Sequence, residues 1–290
     1  MPMTLIKGQF RIVGASPDGD SVRFYPDNPT AFTTAGIIVK ANASGGVQLR
    51  LDAIDALETH YTPPSAPQPW HQPKPLGDGA SSALLELLGF TAVRRNDRGI
   101  VTSASPDRTP GYILTRFADK YGRAVSMTFA GARRGRGSDG SSVYLELAEL
   151  RRSVNYQLLA SGWVYPTFYS KLYFDLREEL ASASVAARDQ RVGVWSDDAT
   201  LPGFSLKSRA QVTDELVILP KLFRRLAEYL VLDDSGGVNL AGFQAFLAAH
   251  NDRLFTVPAG QATTFETLIQ RRRQSLNLTL PPEQIVFIEA

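Results

Sequence analysis

Short segments in which polar and apolar residues alternate recur through the first 130 residues of this chain. An alternation of period two predicts a strand with one buried and one polar face. In the third segment, for example, Val47, Leu49 and Leu51 share one face. We predict strands over residues 7–13, 21–25, 47–54, 111–117 and 123–130.

Helical periodicity interrupts and follows these strands. Leu150, Val154 and Leu158 recur at every fourth position, and Gly162 ends that pattern. We predict helices over residues 81–88, 148–161 and 171–189, and a loop over the proline- and glycine-rich residues 62–79. Short strands with helices between and after them indicate an α+β fold, a small barrel with helices packed on it.

The sequence changes in character near residue 201. Pro220 can begin a helix that reaches about residue 231, and Asn239 can cap a second helix that reaches about residue 250. Alternation returns over residues 263–269, 276–280 and 285–289. We therefore predict two domains, residues 1–200 and a small α+β domain over residues 201–290.

Composition excludes several kinds of site. The chain has no cysteine, which excludes thiolate catalysis and cysteine-based zinc sites, and its three histidines are scattered. The net charge is only +2, so a phosphate-binding site must be a local cluster of basic residues. No apolar segment approaches membrane-spanning length and no signal peptide is visible, which favours a cytoplasmic protein without membrane contact.

Three polar clusters carry the candidate chemistry. They are DGD at residues 18–20, RLDAIDALE at residues 50–58 and DKYGR at residues 119–123. Each cluster alone is typical of an ordinary turn or a solvated strand end. Together and in this order they resemble the staphylococcal nuclease family, and GVW at residues 193–195 is similar to that family's closing signature. The resemblance covers roughly residues 8–197.

The resemblance implies a five-stranded OB-fold barrel with three packed helices and a Ca²⁺ site. The family's calcium-binding carboxylates match Asp20 and Asp55, and the position that adds a backbone carbonyl matches Ala56. Hard oxygen ligands of this kind suit Ca²⁺ and leave room for water and a phosphate oxygen. A bound Ca²⁺ acts as a Lewis acid and orients the attacking water.

The resemblance also assigns the catalytic side chains. The family's catalytic glutamate matches Glu58, which can take a proton from the attacking water as general base. Its two active-site arginines match Arg50 and Arg123, whose planar forks can hold phosphate oxygens while negative charge builds on them. The implied activity is calcium-dependent hydrolysis of phosphodiester bonds in DNA or RNA, with 3′-phosphate products.

Four further residues match family positions beside the substrate. Lys120 and Tyr121 match positions that touch a terminal phosphate, although exposed residues of a turn are an equally good interpretation. Phe168 and Tyr169 fall near the family's two nucleotide-binding tyrosines, although an alignment without gaps brings those tyrosines to Phe168 and Ser170. These aromatic residues could stack on the bases of a single strand or simply pack in the core.

Two alternatives stay open at the level of sequence. The barrel could be a binding module that has lost catalysis, but degenerate copies usually lack the arginines or the glutamate, which this chain retains. Residues 201–290 could bind a protein partner through an apolar helix face formed by Leu222, Leu226, Tyr229 and Leu230. We favour packing of this face within its own domain, to which the sequence assigns no function.

Overall fold

The computed structural model describes residues 2–133, 135, 137–232 and 237–289, which form two compact units. The first unit contains the residues up to Asp52 together with Ser81–Leu158. The second contains Ala53–Ala80 and the residues from Leu159 onward. The second unit thus combines residues from both sides of position 200, and the independence of residues 201–290 as a domain stays a prediction.

The described residues form both strands and helices, often in runs of one type, so the protein is α+β, as the sequence predicted. The strands are β1 (Pro2–Phe10), β2 (Ser21–Pro26), β3 (Val47–Leu51), β4 (Ile54–Asp55), β5 (Ala92–Arg95), β6 (Val101–Ser105), β7 (Thr109–Ala118), β8 (Ala124–Ala130), β9 (Ser142–Tyr144), β10 (Tyr165–Pro166), β11 (Phe168–Tyr169), β12 (Phe204–Ser205), β13 (Arg253–Thr256), β14 (Ala262–Thr264), β15 (Ile269–Arg272), β16 (Ser275–Leu278) and β17 (Ile285–Phe287). The α-helices are α1 (Ala31–Thr34), α2 (Lys74–Leu87), α3 (Leu147–Leu150), α4 (Val154–Ala160), α5 (Phe174–Asp189), α6 (Arg209–Asp214), α7 (Pro220–Leu232) and α8 (Phe243–His250). Short 3-10 helices cover Gly193–Ser196, Phe265–Leu268 and Pro282–Gln284.

The first unit is built around a closed, mixed barrel of five strands in the order β1-β2-β3-β8-β7. Strand β1 pairs with both β2 and β7, which closes the barrel. Strands β3 and β8 are parallel, whereas the other neighbours are antiparallel. Strand β9 pairs with β1 beside the barrel. The small barrel predicted from the alternating segments is therefore present, with the five strands that the resemblance implies.

Two glycines make room for aromatic rings in the core of this unit. Gly8 on β1 lies opposite Gly111 on β7. A Cβ atom on Gly111 would lie 2.3 Å from the ring of Phe10, and one on Gly8 would lie 2.6 Å from the ring of Phe24. Both rings are fully buried and their centroids are 5.3 Å apart. Burial of each ring stabilises the fold by roughly 1.5–3 kcal/mol.

Helix α2 begins earlier than the sequence predicted. It starts at Lys74 rather than at residue 81, inside the segment predicted as a loop. Pro75 is compatible with this start because the first turn of a helix does not need its backbone N–H. Gly79 serves a close contact, since a Cβ atom there would lie 2.4 Å from the ring of Trp163. Proline and glycine usually indicate loops, but here they mark a helix start and a packing contact.

The single helix predicted over residues 148–161 is instead two helices, α3 and α4. The buried hydroxyl of Ser153 donates to the carbonyl of Leu150 at 2.6 Å and accepts from the N–H of Tyr156 at 3.1 Å. It thereby closes the first helix and caps the second. The predicted apolar stripe is confirmed despite the break, because Leu150, Val154 and Leu158 are all buried.

The second unit buries one continuous hydrophobic core. Leu222, Leu226 and Leu230 of α7 are fully buried in it, and Tyr229 packs against it. The apolar helix face thus packs within this unit. Strands β11-β17-β13-β14 and β12-β16-β15 form two small sheets here. The strand predicted over residues 263–269 is largely replaced by the 3-10 helix Phe265–Leu268, and the helix predicted from Asn239 begins only at Phe243.

Across the described part of the chain, every helix is too short or too polar to cross a lipid bilayer.

Candidate active site

Three of the predicted site residues belong to neighbouring strands of the barrel in the first unit. Asp20 directly precedes β2, and its carbonyl accepts a hydrogen bond of 2.8 Å from the N–H of Leu51. Arg50 lies on β3, between β2 and β8. Arg123 directly precedes Ala124, the first residue of β8, which lies opposite Leu49. The strand pairing therefore brings Asp20, Arg50 and Arg123 to adjacent positions.

A tight turn fixes the direction of Arg123. The Oδ2 atom of Asp119 accepts from Nε of Arg123 at 2.7 Å, and its Oδ1 atom accepts from the backbone N–H groups of Tyr121 and Arg123 at 3.0 Å. Gly122 has a φ of +80°, and a Cβ atom there would lie 2.9 Å from the backbone nitrogen of Lys40. The turn therefore requires glycine, and Asp119 orients the guanidinium that follows it.

The predicted substrate residues Lys120 and Tyr121 lie in the same turn. Tyr121 is 65% exposed. Its ring centroid is 5.3 Å from Nζ of Lys120 and 5.6 Å from Cζ of Arg123, so both cations approach the ring. The two residues are thus exposed beside Arg123, and their contact with substrate stays a prediction.

The other predicted site residues lie in the second unit, on a short segment that backbone contacts hold. Asp55 on β4 pairs with Tyr165 on β10. The N–H of Glu58 donates to Oε1 of Gln72 at 3.1 Å, and the carbonyl of Glu58 accepts from the N–H of Gln72 at 2.7 Å. The buried Gln72 amide also donates to the carbonyl of Ile218 at 2.8 Å. Ala56, the predicted carbonyl ligand, is itself buried.

An arginine that the sequence did not indicate pairs with both carboxylates of this segment. Arg224 of α7 donates from Nη1 and Nη2 to the two oxygens of Asp55, at 3.1 and 2.7 Å. The same Nη1 donates to Oε1 of Glu58 at 2.5 Å. Burial would lower the pKa of Arg224, but the charges of Asp55 and Glu58 outweigh it and raise that pKa well above its usual value. The guanidinium is therefore permanently charged and shared by the two acids.

No rule of spacing could have found Arg224, because it lies 169 positions after Asp55. The helical pattern of α7 predicts which of its leucines are buried, but it does not indicate the partner of Arg224. One signal was available. Arg224 follows Phe223 and precedes Leu226, both fully buried, so its side chain leaves the helix close to the core and needs an acidic partner.

A second group of charged residues joins α7 to Asp252, close to Arg224 in the sequence of the helix. Asp252 accepts from Nζ of Lys221 at 2.8 Å and from Nε of Arg225 at 2.6 Å. Arg225 also contacts Glu228, to which the hydroxyl of Tyr61 donates a hydrogen bond. Burial would raise the pKa of Asp252, but hydrogen bonds and charges from Arg225 and Lys221 lower that pKa to about 2. The segment after Glu58 is thus attached to α7 through Tyr61 as well.

The two predicted aromatic residues differ in exposure. Phe168 on β11 is fully buried, which favours packing over base stacking for its ring. Tyr169 is half-buried, with its ring centroid 5.9 Å from that of Phe287. Its hydroxyl group is close enough to Arg224 to contribute to the raised pKa of that arginine. Tyr169 therefore belongs to the surroundings of the carboxylate pair.

Comparison with known proteins assigns this chain to no family. No protein-family model matches the chain, and no curated protein matches it. A proposal of function therefore rests on the arrangement of side chains within each unit.

One buried carboxylate oxygen of the first unit has the chemistry of a ligand for a cation such as Ca²⁺. The Oδ1 atom of Asp18, two residues before Asp20, is buried and receives no hydrogen bond from the residues that the structure describes. A buried carboxylate oxygen without a donor is costly, and a cation would remove that cost. The oxygens of Asp55, in contrast, both accept from Arg224. Within the described ranges, no three His, Asp or Glu side chains gather as a metal-binding group.

Proposed function

We propose that this chain is a calcium-dependent nuclease that hydrolyses phosphodiester bonds of DNA or RNA, preferring single strands, and that its barrel is an OB-fold. The adjacency of Asp20, Arg50 and Arg123 on neighbouring strands is the main support. In a chain with a net charge of only +2, two arginines beside a carboxylate are the local cluster that phosphate binding requires.

In the proposed reaction the two arginines bind the phosphate. Arg50 and Arg123 donate to its non-bridging oxygens, and Asp119 keeps the guanidinium of Arg123 in a fixed direction. Their hydrogen bonds strengthen as negative charge builds on these oxygens during attack. The loss of one such donor costs roughly 3–4 kcal/mol of transition-state stabilisation.

The carboxylates supply the base and the cation ligands in this proposal. Glu58 accepts a proton from the attacking water while the oxygen of that water bonds to phosphorus. The bond from phosphorus to the 5′-oxygen breaks and that oxygen takes a proton from solvent water, which leaves a 3′-phosphate and a 5′-hydroxyl. By the resemblance, Asp20, Asp55 and the carbonyl of Ala56 are the residues that would hold the cation. When bound, Ca²⁺ supplies Lewis-acid polarisation of the phosphate and of the water.

The test is a digest of single-stranded DNA and RNA by the purified full chain, with Ca²⁺ or with a chelator. We expect cleavage only with Ca²⁺, and a decrease of roughly 100- to 1,000-fold in Glu58→Gln and in Arg123→Ala. Arg108→Ala is the matched control, because Arg108 is an exposed arginine paired only loosely with Asp107, at 3.6 Å. Its activity should equal that of the wild type.

Two outcomes would contradict the proposal. Cleavage that persists in chelator and is unchanged by both substitutions would belong to a different site or to a contaminant. Binding of the labelled strand without cleavage under any condition would favour the binding module instead. Fluorescence polarisation of the same labelled strands distinguishes binding from cleavage.

A further inference from the structure

We propose that Arg224 is a positioning residue of the cleavage site, which holds Asp55 and Glu58 in one fixed arrangement. This inference rests on the proposed function, since it gives meaning to the two carboxylates that the proposed reaction uses. It also gives a role to residues after position 200, for which the sequence indicated none.

The charge balance of the two carboxylates supports this role of Arg224. The side chains of Asp55 and Glu58 are only 6% and 19% exposed, so water screens them poorly. One oxygen of Asp55 and one oxygen of Glu58 accept from the same nitrogen, Nη1 of Arg224. The two carboxylates are therefore close enough to repel each other. Arg224 supplies the positive charge that allows both acids to be ionised at this spacing.

The geometry of the Arg224 guanidinium also supports a positioning role. A planar fork that donates to both oxygens of Asp55 fixes the plane of that carboxylate as well as its position. The additional hydrogen bond from Nη1 then sets the distance from Asp55 to Glu58. A lysine could supply the charge, but one ammonium group cannot present the parallel donors of the fork.

Arg224 and the backbone of Glu58 are both held by buried residues. Arg224 projects from α7 between the fully buried residues Phe223 and Leu226. The backbone of Glu58 is held by Gln72, which is itself bonded to the carbonyl of Ile218, two residues before α7. The side chains and the backbone of the segment are thus both fixed by residues 218–224. Catalytic groups need this kind of support, because a misplacement of about 1 Å can cost roughly 100-fold in rate.

The experiment compares Arg224→Met and Arg224→Lys with the wild type in the full chain. Arg225→Met is the matched control, since it removes a paired arginine of the same helix that contacts Asp252 and Glu228 instead. We expect kcat to fall about 100-fold in Arg224→Met, with KM for a single-stranded substrate nearly unchanged. The kcat of Arg224→Lys should be about tenfold higher than that of Arg224→Met. Arg225→Met should keep kcat within about threefold, a loss too small for a misplaced catalytic group.

Hydrogen–deuterium exchange gives a readout that does not depend on activity. Backbone amides of residues 54–60 should exchange faster in Arg224→Met than in the wild type or in Arg225→Met. Wild-type kcat in Arg224→Lys would overturn the inference, because the fork would then be unnecessary. Equal or faster cleavage by Arg224→Met would also overturn it, since Arg224 would then only compete with the cation. Failure of the proposed function is distinguishable, because the wild type itself would not cleave with Ca²⁺.

Discussion

At the scale of single residues, two acid–arginine contacts serve opposite purposes. In the turn before β8 a carboxylate orients an arginine, since Asp119 accepts from Nε of Arg123 at 2.7 Å. In the second unit an arginine orients carboxylates, since Arg224 donates to Asp55 and Glu58. In both cases the residue predicted to do chemistry is held by a residue that does none.

Asp119→Asn tests the first contact. Asparagine keeps the Oδ1 acceptor of the turn, but its NH₂ group cannot accept from Nε of Arg123, so the guanidinium loses its direction. We expect the rate of cleavage to fall by roughly 10- to 100-fold, with the thermal midpoint of unfolding nearly unchanged. Asp107→Asn, at an exposed acid beside Arg108, is the control. A rate equal to the wild type would show that Asp119 shapes only the turn.

At the scale of elements, local hydrogen bonds decide where helices begin and end. Leu150, Val154 and Leu158 satisfy the helical pattern, and nothing in that pattern reveals the break between α3 and α4. Ser153 makes the break, because a short polar side chain can bond to nearby backbone groups in place of the helical ladder.

Ser153→Ala tests the cap of α4. The hydroxyl of Ser153 is buried and accepts from the N–H of Tyr156, which loses its partner on substitution. We expect a decrease of about 1 kcal/mol in the free energy of unfolding, measured by urea denaturation. Ser182→Ala is the control, because Ser182 is an exposed helical serine whose hydroxyl donates to the carbonyl of Glu178, a bond the helix does not need. A loss equal to that of the control would contradict the capping role.

The elements that the sequence predicted best are those whose pattern follows from burial alone. Strand β3 alternates because one of its faces meets the core, and α7 repeats its leucines for the same reason. Helix α2 was missed at its start, since Pro75 and Gly79 carry local signals of a loop that packing overrides. At the site, the polar clusters could be found by their order, whereas Arg224 reaches its partners only through the tertiary fold.

At the scale of the whole molecule, stability depends on buried charge pairs as well as on the two cores. Asp252 connects β13 to α7 through Lys221 and Arg225, and its side chain is only 14% exposed. Folding lowers the pKa of Asp252 from 3.8 to about 2. The ionised form therefore stabilises the folded state above the unfolded pKa, and this contribution is lost as the pH falls from 3.8 towards 2.

Asp252→Asn tests this dependence on pH. We expect the wild type to exceed the variant by about 2 kcal/mol in the free energy of unfolding near neutral pH. The difference should shrink below about pH 4, because the carboxyl group of Asp252 then binds a proton in the unfolded chain, whereas in the folded chain it does so only near pH 2. Urea denaturation at a series of pH values measures it. A difference that stays constant down to about pH 2 would contradict the origin of the effect in ionisation.

The long separation between Arg224 and its partners has a consequence for biosynthesis. Glu58 and Asp55 precede Arg224 by 166 and 169 positions, so a ribosome that adds about 5–20 residues per second makes the acids roughly 10–30 s before their counter-ion. Until α7 emerges, the acidic segment lacks the group that sets its spacing. Under the proposed function, a nascent chain therefore cuts far more slowly until Arg224 has been made and α7 has folded.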